Sequence, residues 1–296
     1  MALALAKSLK AAGRDALIIN ADASQVYADI PILSAAPSTA DREAVPHALV
    51  GHVDASVNVN AAMWAAEARD AVMTSLSKGT VPILAGGTGL YMRTLIDGIA
   101  PVPDIDPDIR AMVRALPPAE AHARLAPLDP AAAAKLPPTD RTRVQRALEV
   151  VLSSGRTLGT WQREMIGGIG GDVTLVPLVL LPPRDWLKAR CDRRFDDMMA
   201  QGALAEVAAL LSRGLSPDLP AMRAIGVPEL ARHLAGELTL DTAVDLARIA
   251  TRQYAKRQYT WLRGQLPIEW EHEDRALNDV IINEIVIKLL QRLLTD

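Results

Sequence analysis

Cysteine is almost absent from this chain: Cys191 is the only one in 296 residues. A single thiol excludes an internal disulfide and any zinc site built on cysteines. It falls in a helical pattern between Leu187 and Phe195, which reads as a core thiol rather than a nucleophile. Aromatic side chains are also scarce, with one Phe in the whole sequence, so the helices are expected to pack through small side chains. No apolar run approaches the roughly 20 residues of a membrane span. The stretch Met1 to Leu9 is apolar but has no basic leader, so it is not expected to be a signal peptide. The expectation is a cytoplasmic protein without membrane contact. Charge of neither sign dominates, since 32 basic against 35 acidic residues leave a net −3. A nucleic-acid surface would therefore have to come from local clustering.

What is present is enough apolar sequence for a substantial core: half of the residues are hydrophobic and the mean hydropathy is +0.12. The length suits one large domain or two ordinary ones. Residues 2–12 read as a helix with Leu3, Ala6 and Leu9 on one side and Gly13 as its stop. Ala16–Ile19 is too short for a buried helix and reads as an inner strand. Residues 28–60 are loop-like. Ala61–Ser77 forms an amphipathic helix with Trp64, Ala68, Val72 and Leu76 on its stripe. Val81–Ala85 is a second inner strand, broken by Gly86-Gly87-Thr88-Gly89, after which a helix starts at Leu90. This alternation argues for a parallel sheet covered by helices.

Further along, Asp140–Ser153 reads as a strong helix, residues 167–171 as a flexible glycine linker, and Val173–Leu181 as a third strand. Four or so helices without an intervening strand fill 185–262. Ile268-Glu269-Trp270 reads as a short returning strand, and Leu277–Leu294 as an amphipathic terminal helix. The expected division is an α/β core over 1–183 with a helical insertion around 101–165, a helical subdomain over 184–264, and a return to the core over 265–296.

Four clusters could carry chemistry. Asp22 follows the first strand, at the sheet edge where ligands of open α/β folds sit. A carboxylate there can act as a base, hold a metal through water, or cap the next helix. The glycine turn at 86–89 lies on the same edge, and its backbone N–H groups with the Thr88 hydroxyl suit an anion; glycines after a strand also occur for steric reasons alone. Arg143 and Arg146 share one helix face, with Arg110 on an earlier helix; the plain alternative is a solvated face with an Arg–Glu pair. Most informative is Arg248 to Gly264. Arg248, Arg252 and Lys256 recur every four residues, with Arg257 and Arg263 nearby and Tyr254, Tyr259 and Trp261 interleaved. A basic stripe with stacking faces suits a phosphate backbone and an unpaired base, while the alternative is an exposed helix whose aromatics face the core.

Taken in order, the blocks Asp22-Ala-Ser-Gln-Val-Tyr27, Val45-Pro-His47, Pro82-Ile-Leu-Ala-Gly-Gly-Thr-Gly-Leu-Tyr91, Asp106-Pro107 with Arg110, Arg143-Val-Gln-Arg-Ala-Leu-Glu149, Leu219-Pro-Ala-Met-Arg223-Ala-Ile-Gly226 and Ala250 through Gly264 resemble the bacterial tRNA dimethylallyltransferases. The resemblance spans about 90% of the chain and implies a P-loop-kinase-like core with helical insertions. It implies transfer of a dimethylallyl group from dimethylallyl diphosphate to N6 of adenosine 37, beside the tRNA anticodon. By position it makes Asp22 the base that takes the N6 proton, with Thr88 beside it. Gly86, Gly87, Thr88 and Arg223 fall at diphosphate-facing positions, with Mg²⁺ as the expected cofactor. The tRNA-binding positions are Asp22, Ala23, Ser24, Gln25, Thr88, Arg110, Thr142, Arg143, Val144, Gln145, Arg146, Arg252, Lys256 and Arg257. A monomer suffices.

The chain also departs from the family pattern. Family members begin with a strand and a Gly-x-x-x-x-Gly-Lys-Ser/Thr loop directly before the opening helix, whereas here Met1 falls where that loop would end. The expectation is a first strand and phosphate loop missing from this sequence. A start assigned too late is the favoured account, and an inactive truncated product that still binds tRNA is the alternative. Smaller departures are Ala23 for Ser, Leu33 and Ala36 for Gly and Lys, and Val227-Pro228 for Tyr-Arg. An adenine-nucleotide prenyltransferase is the same-fold alternative, disfavoured because a small nucleotide needs neither the basic-aromatic helix nor the helical subdomain.

Overall fold

The computed structural model describes residues 1–295. The chain divides into two compact units, one formed by Met1–Arg93 with the chain from Val173 onward, the other by Thr94–Asp172.

The first unit is built on parallel strands. Helix α1 (Ala2–Ala11) leads through Gly13, at φ +78°, into strand β1 (Ala16–Asn20). Within the segment expected to be loop, a short helix α2 (Thr39–Ala44) is held by a capping box between Ser38 and Asp41. It precedes a two-residue strand, β2 (His47–Ala48), which is too short to leave a periodic signal. Helix α3 (Ala61–Ser77) starts where Asn60 accepts the N–H groups of Ala62 and Met63. Strand β3 (Val81–Ala85) then runs to the glycine turn, and helix α4 (Gly89–Asp97) follows. The strand order is β2-β1-β3, all parallel, with Ala16 beside Val81 and Asn20 beside Ala85.

β1 is buried on both faces. Ala16 and Ile18 join a core with Leu5, Ala6 and Leu9 of α1, while Ile19 is fully buried on the other face. On α3 the buried positions are Trp64, Ala65, Ala68, Val72 and Ser75; Leu76, expected on that stripe, is 44% exposed. Seventeen residues at 3.6 per turn carry Leu76 away from the face that Trp64 fixes.

The second unit contains α5 (Pro107–Ala115), α6 (Pro118–Leu128), α7 (Pro130–Lys135), α8 (Arg141–Ser154) and α9 (Leu158–Trp161). Asp140 caps α8 and Gly155, at φ +68°, ends it. Val144, Ala147, Leu148 and Val151 of α8 pack with Val113, Ala121 and Leu125. The glycines at 167–171 do not form a flexible linker. Ile169 is buried, and the N–H groups of Ile169 and Gly170 donate to Leu95 and Ile96, both at 2.9 Å. A side chain at Gly168 would strike the backbone of residues 96–98, so glycine here serves close approach.

In the rest of the first unit, β4 (Leu178–Leu180) pairs in parallel with β5 (Glu271–Glu273) as a separate two-stranded sheet. The expected third strand is thus shortened to three residues. The returning strand lies three residues later than expected, leaving Ile268 95% exposed. Between the two strands run α10 (Arg184–Ala200), α11 (Ala203–Ser212), a 3-10 turn (Ala221–Arg223), α12 (Val227–Leu234) and α13 (Leu240–Gln265). Helix α14 (Asp279–Thr295) returns through Ile285, Val286 and Leu289 to the core around α1. Among the described residues no helix is long and apolar enough to cross a membrane.

Candidate active site

The carboxyl ends of β1 and β3 meet at Asp22 and Thr88. Asn20 builds the turn after β1: its Nδ2 donates to the carbonyls of Asp22 and Leu49, both at 2.9 Å, and its Oδ1 accepts the Asp22 N–H. Asp22 Oδ1 accepts the Ser24 N–H at 2.9 Å. The two strand ends are tied together twice, because Thr88 N–H donates to the Ala21 carbonyl at 3.1 Å and Thr88 Oγ1 accepts the Ala23 N–H at 3.0 Å. Gly86 stands where a side chain would collide with the Ala21 backbone. The N–H groups of Gly86 and Gly87 make no hydrogen bond among the described residues.

Burial raises the Asp22 carboxyl above its ordinary range, opposed by the Ser24 N–H, the charge of Arg194 and the Gln25 N–H. Three phenols lie in this region, and two of them, Tyr91 and Tyr254, feel the Asp22 charge. Tyr91 is pushed up to about 12 by burial, with Tyr27 and Asp22 adding to it. Burial also raises Tyr254, again helped by Asp22, and burial raises Tyr27. All three stay protonated at neutral pH, so Asp22 is the group among them able to accept a proton. Trp64 supports the floor of this region. It is fully buried, stacks on Tyr91 at 4.6 Å and donates its indole N–H to the Asn20 carbonyl at 2.9 Å.

The loop beside Asp22 is pinned from several sides. Gln25 Nε2 donates to the carbonyls of Ser34 and Ala35, both at 3.3 Å, and Arg194 donates to Ser34 at 3.4 Å. Glu206 of α11 accepts the N–H groups of Ile32 and Leu33 at 2.8 and 2.9 Å. A cleft of about 650 Å³ lies elsewhere, lined by Lys10, Asp15, Asp70 and Lys78 near the opposite ends of β1 and β3, and carries none of these groups.

The basic stripe on α13 is largely neutralised within the fold. Arg248 pairs with Asp196 and, at 2.8 Å, with Asp245; Arg252 binds both oxygens of Asp192 at 2.8 and 2.9 Å. Lys256 and Arg257 remain exposed, and the Arg257 guanidinium lies 5.7 Å from the Tyr254 ring centroid. Arg223 is exposed at the end of the 3-10 turn, with no ion pair among the described residues. In the second unit Arg110, Thr142, Arg143 and Arg146 are exposed. Arg143 pairs with Asp140 at 3.3 Å. Glu149 is buried, with Arg114 at 3.2 Å and Arg146 at 3.9 Å. Val144 and Gln145, expected on a binding surface, face inward: Val144 is fully buried, and Gln145 donates to the Val113 and Arg114 carbonyls at 3.2 and 3.4 Å. On a helix the residues between Arg143 and Arg146 necessarily point elsewhere. Cys191 is a buried thiol whose pKa burial raises, consistent with a core role.

Sequence reading missed Asn20, Arg194, Glu206 and Gln258. An Asn closing an apolar strand was the one available signal; the others act across long sequence separations.

A family model described as IPP transferase matches residues 25–265, from the loop beside Asp22 through the glycine turn to the end of α13. The chain belongs to this family. It is 57% identical over 295 residues to the tRNA dimethylallyltransferase of Sphingopyxis alaskensis, covering all of this chain and 95% of that one. Identity to the tRNA dimethylallyltransferase of Novosphingobium aromaticivorans is 55% over 258 residues, 87% of this chain and 92% of the other. Among solved structures, a tRNA isopentenylpyrophosphate transferase from Staphylococcus epidermidis has a TM-score of 0.67 at 27% identity, over 98% of this chain and 95% of that one. A eukaryotic dimethylallyltransferase acting on tRNA gives 0.71 at 26% identity, over 88% and 66%. The IPP transferase fold is thus the expected α/β arrangement of parallel strands covered by helices.

Proposed function

We propose that this IPP transferase moves a dimethylallyl group from dimethylallyl diphosphate to N6 of adenosine 37 in tRNA, with Asp22 as general base. The observation that carries the reading is the Asp22 carboxylate, poorly solvated and fixed at the strand ends, among phenols that stay protonated. The N6 lone pair forms a bond to the allylic C1 carbon while the C1–O bond breaks, and its electrons leave with the diphosphate. The proton that N6 loses passes to the Asp22 carboxylate. A stacked adenine is out of reach, so the target base must be turned out of the anticodon loop.

Thr88, Arg223 and the unpaired N–H groups of Gly86 and Gly87 are the diphosphate contacts in this reading. Among the described residues no three His, Cys, Asp or Glu side chains converge, so Mg²⁺ in this reading would be held chiefly by the diphosphate oxygens and water, as this ion commonly is. When bound it would share the leaving-group charge with Arg223 and the turn. Lys256 and Arg257 in one unit, and Arg110, Thr142, Arg143 and Arg146 in the other, are the tRNA contacts. A substrate of this kind places the work in the cytoplasm, and a monomer can perform it.

The test is Asp22→Ala with a labelled donor and an anticodon stem-loop carrying the adenosine. Transfer should fall at least about 100-fold, the scale of a lost general base, with stem-loop affinity nearly intact. A large loss of affinity would instead identify Asp22 as a structural cap.

A further inference from the structure

Helix α13 packs against the glycine turn at Gly87 and Gly89, while Gly86 stays exposed. Gln258 Nε2 donates to the Gly87 carbonyl at 3.0 Å. A side chain on Gly87 would run into that same amide, and one on Gly89 would run into the Trp261 ring. Tyr254, Gln258 and Trp261 are spaced i, i+4 and i+7, so they share one face of the helix. The Tyr254 hydroxyl faces both Thr88 and Gln258. Thr88 is consequently held between two walls. On one side the Ala21 carbonyl and Ala23 N–H engage its backbone and hydroxyl; on the other, α13 presses on the residues before and after it.

We propose that Gln258 is a positioning residue: through its bond to the Gly87 carbonyl it fixes the turn that presents Thr88 beside Asp22. This rests on the reading of Asp22 and Thr88 as the transfer site. Gln258 reaches no reacting atom itself. Lys256 and Arg257, in the same helix turn, are exposed cations of α13, so an RNA phosphate engaged there pulls on the turn that carries the clamp. The rest of the stripe cannot serve in this way, since Arg248 and Arg252 are held by Asp196, Asp245 and Asp192.

The experiment compares Gln258→Leu, Thr88→Ala and the double variant in the full chain. Gln258→Leu keeps the bulk and removes the donor. It should speed amide hydrogen exchange at Thr88 about tenfold, the scale of one lost hydrogen bond, with the stem-loop Kd within about twofold of the parent and Tm lowered by only the few degrees that one such bond accounts for. It should lower kcat about tenfold with little change in KM. In the Thr88→Ala background the same substitution should have no further effect on kcat, because a residue acting through Thr88 has nothing left to position. Unchanged exchange at Thr88, or additive losses of kcat in the double variant, would overturn the proposal. The exchange measurement needs no turnover. An inactive parent, or an active Asp22→Ala, therefore counts against the transfer reading while exchange still decides the clamp.

Discussion

Asp22 holds its position at a cost to the fold. An ionised carboxylate away from bulk water is disfavoured unless hydrogen bonds or opposite charge compensate, and here burial outweighs the Ser24 N–H, Arg194 and the Gln25 N–H. The sign follows from linkage. A carboxyl whose folded pKa lies above its unfolded value binds its proton more tightly when folded. Its stabilising contribution is therefore full below the ordinary Asp value of about 4 and is lost as pH rises through the raised folded value. Asp22→Asn removes the ionisation and keeps an oxygen for the Ser24 N–H. Its Tm should match the parent near pH 4 and exceed it increasingly towards pH 8, by about 2–4 °C for each kcal/mol relieved, while transfer is lost. A variant less stable than the parent at pH 8 would show that charge-assisted bonds, not desolvation, dominate at this residue. In the parent, kcat/KM should fall with acidification at a pH above the ordinary Asp range.

At the scale of elements, the turn between β3 and α4 shows what glycine does here. Three of its residues lack side chains for three different neighbours. A Cβ at Gly86 meets the Ala21 backbone, which cannot yield without parting β1 from β3; one at Gly89 meets the Trp261 ring; one at Gly87 meets only the end of the flexible Gln258 side chain. Urea unfolding of the three Ala variants should rank accordingly. Gly86→Ala should be the most destabilised, by about 3 kcal/mol, and Gly87→Ala the least, by about 1 kcal/mol, the range for overfilled sites. The long periodic helix α3 and the apolar run β3 were legible in the sequence to the residue, and β1 to within one, because their period and caps are local. The short strands were less so: β2 fell in a segment expected to be loop, and β5 lies three residues beyond its expected place. Two or three residues carry no period, and their place is set by β1 and β4, which lie more than 25 and 90 residues away in sequence. The glycines at 86–89 read as an anion-binding turn, with steric need as the alternative, and those at 167–171 as a flexible linker; both are sites of close packing. A glycine in a sequence signals freedom from a side chain, and only the fold tells whether solvent or backbone fills the space.

For the whole molecule, a net charge of −3 means that attraction to a polyanion depends on which cations the fold leaves free. The spacing of Arg248, Arg252 and Lys256 correctly placed them along one helix. It could not reveal that α10 presents Asp192 and Asp196 to the first two, since that pairing depends on two helices meeting across more than 50 residues. Likewise the resemblance pointed to Asp22 and Thr88, which the fold brings to one edge, but not to the Asn20, Glu206 and Gln258 contacts that hold their surroundings. The consequence can be read from salt dependence. Each phosphate contact with a flexible single-stranded loop contributes about 0.7 to the slope of log Kd against log salt, and with a duplex stem about 0.9. Lys256→Ala and Arg257→Ala should each lower the slope for anticodon stem-loop binding by about that amount. Arg252→Ala should leave the slope unchanged. Its guanidinium is already held by two oxygens of Asp192, and removing it frees a carboxylate that weakens binding without subtracting a contact. A fall in slope for Arg252→Ala equal to that for Lys256→Ala would mean that the Arg252–Asp192 pair opens when RNA binds, and the free cationic surface of α13 would then be larger than the unbound fold displays.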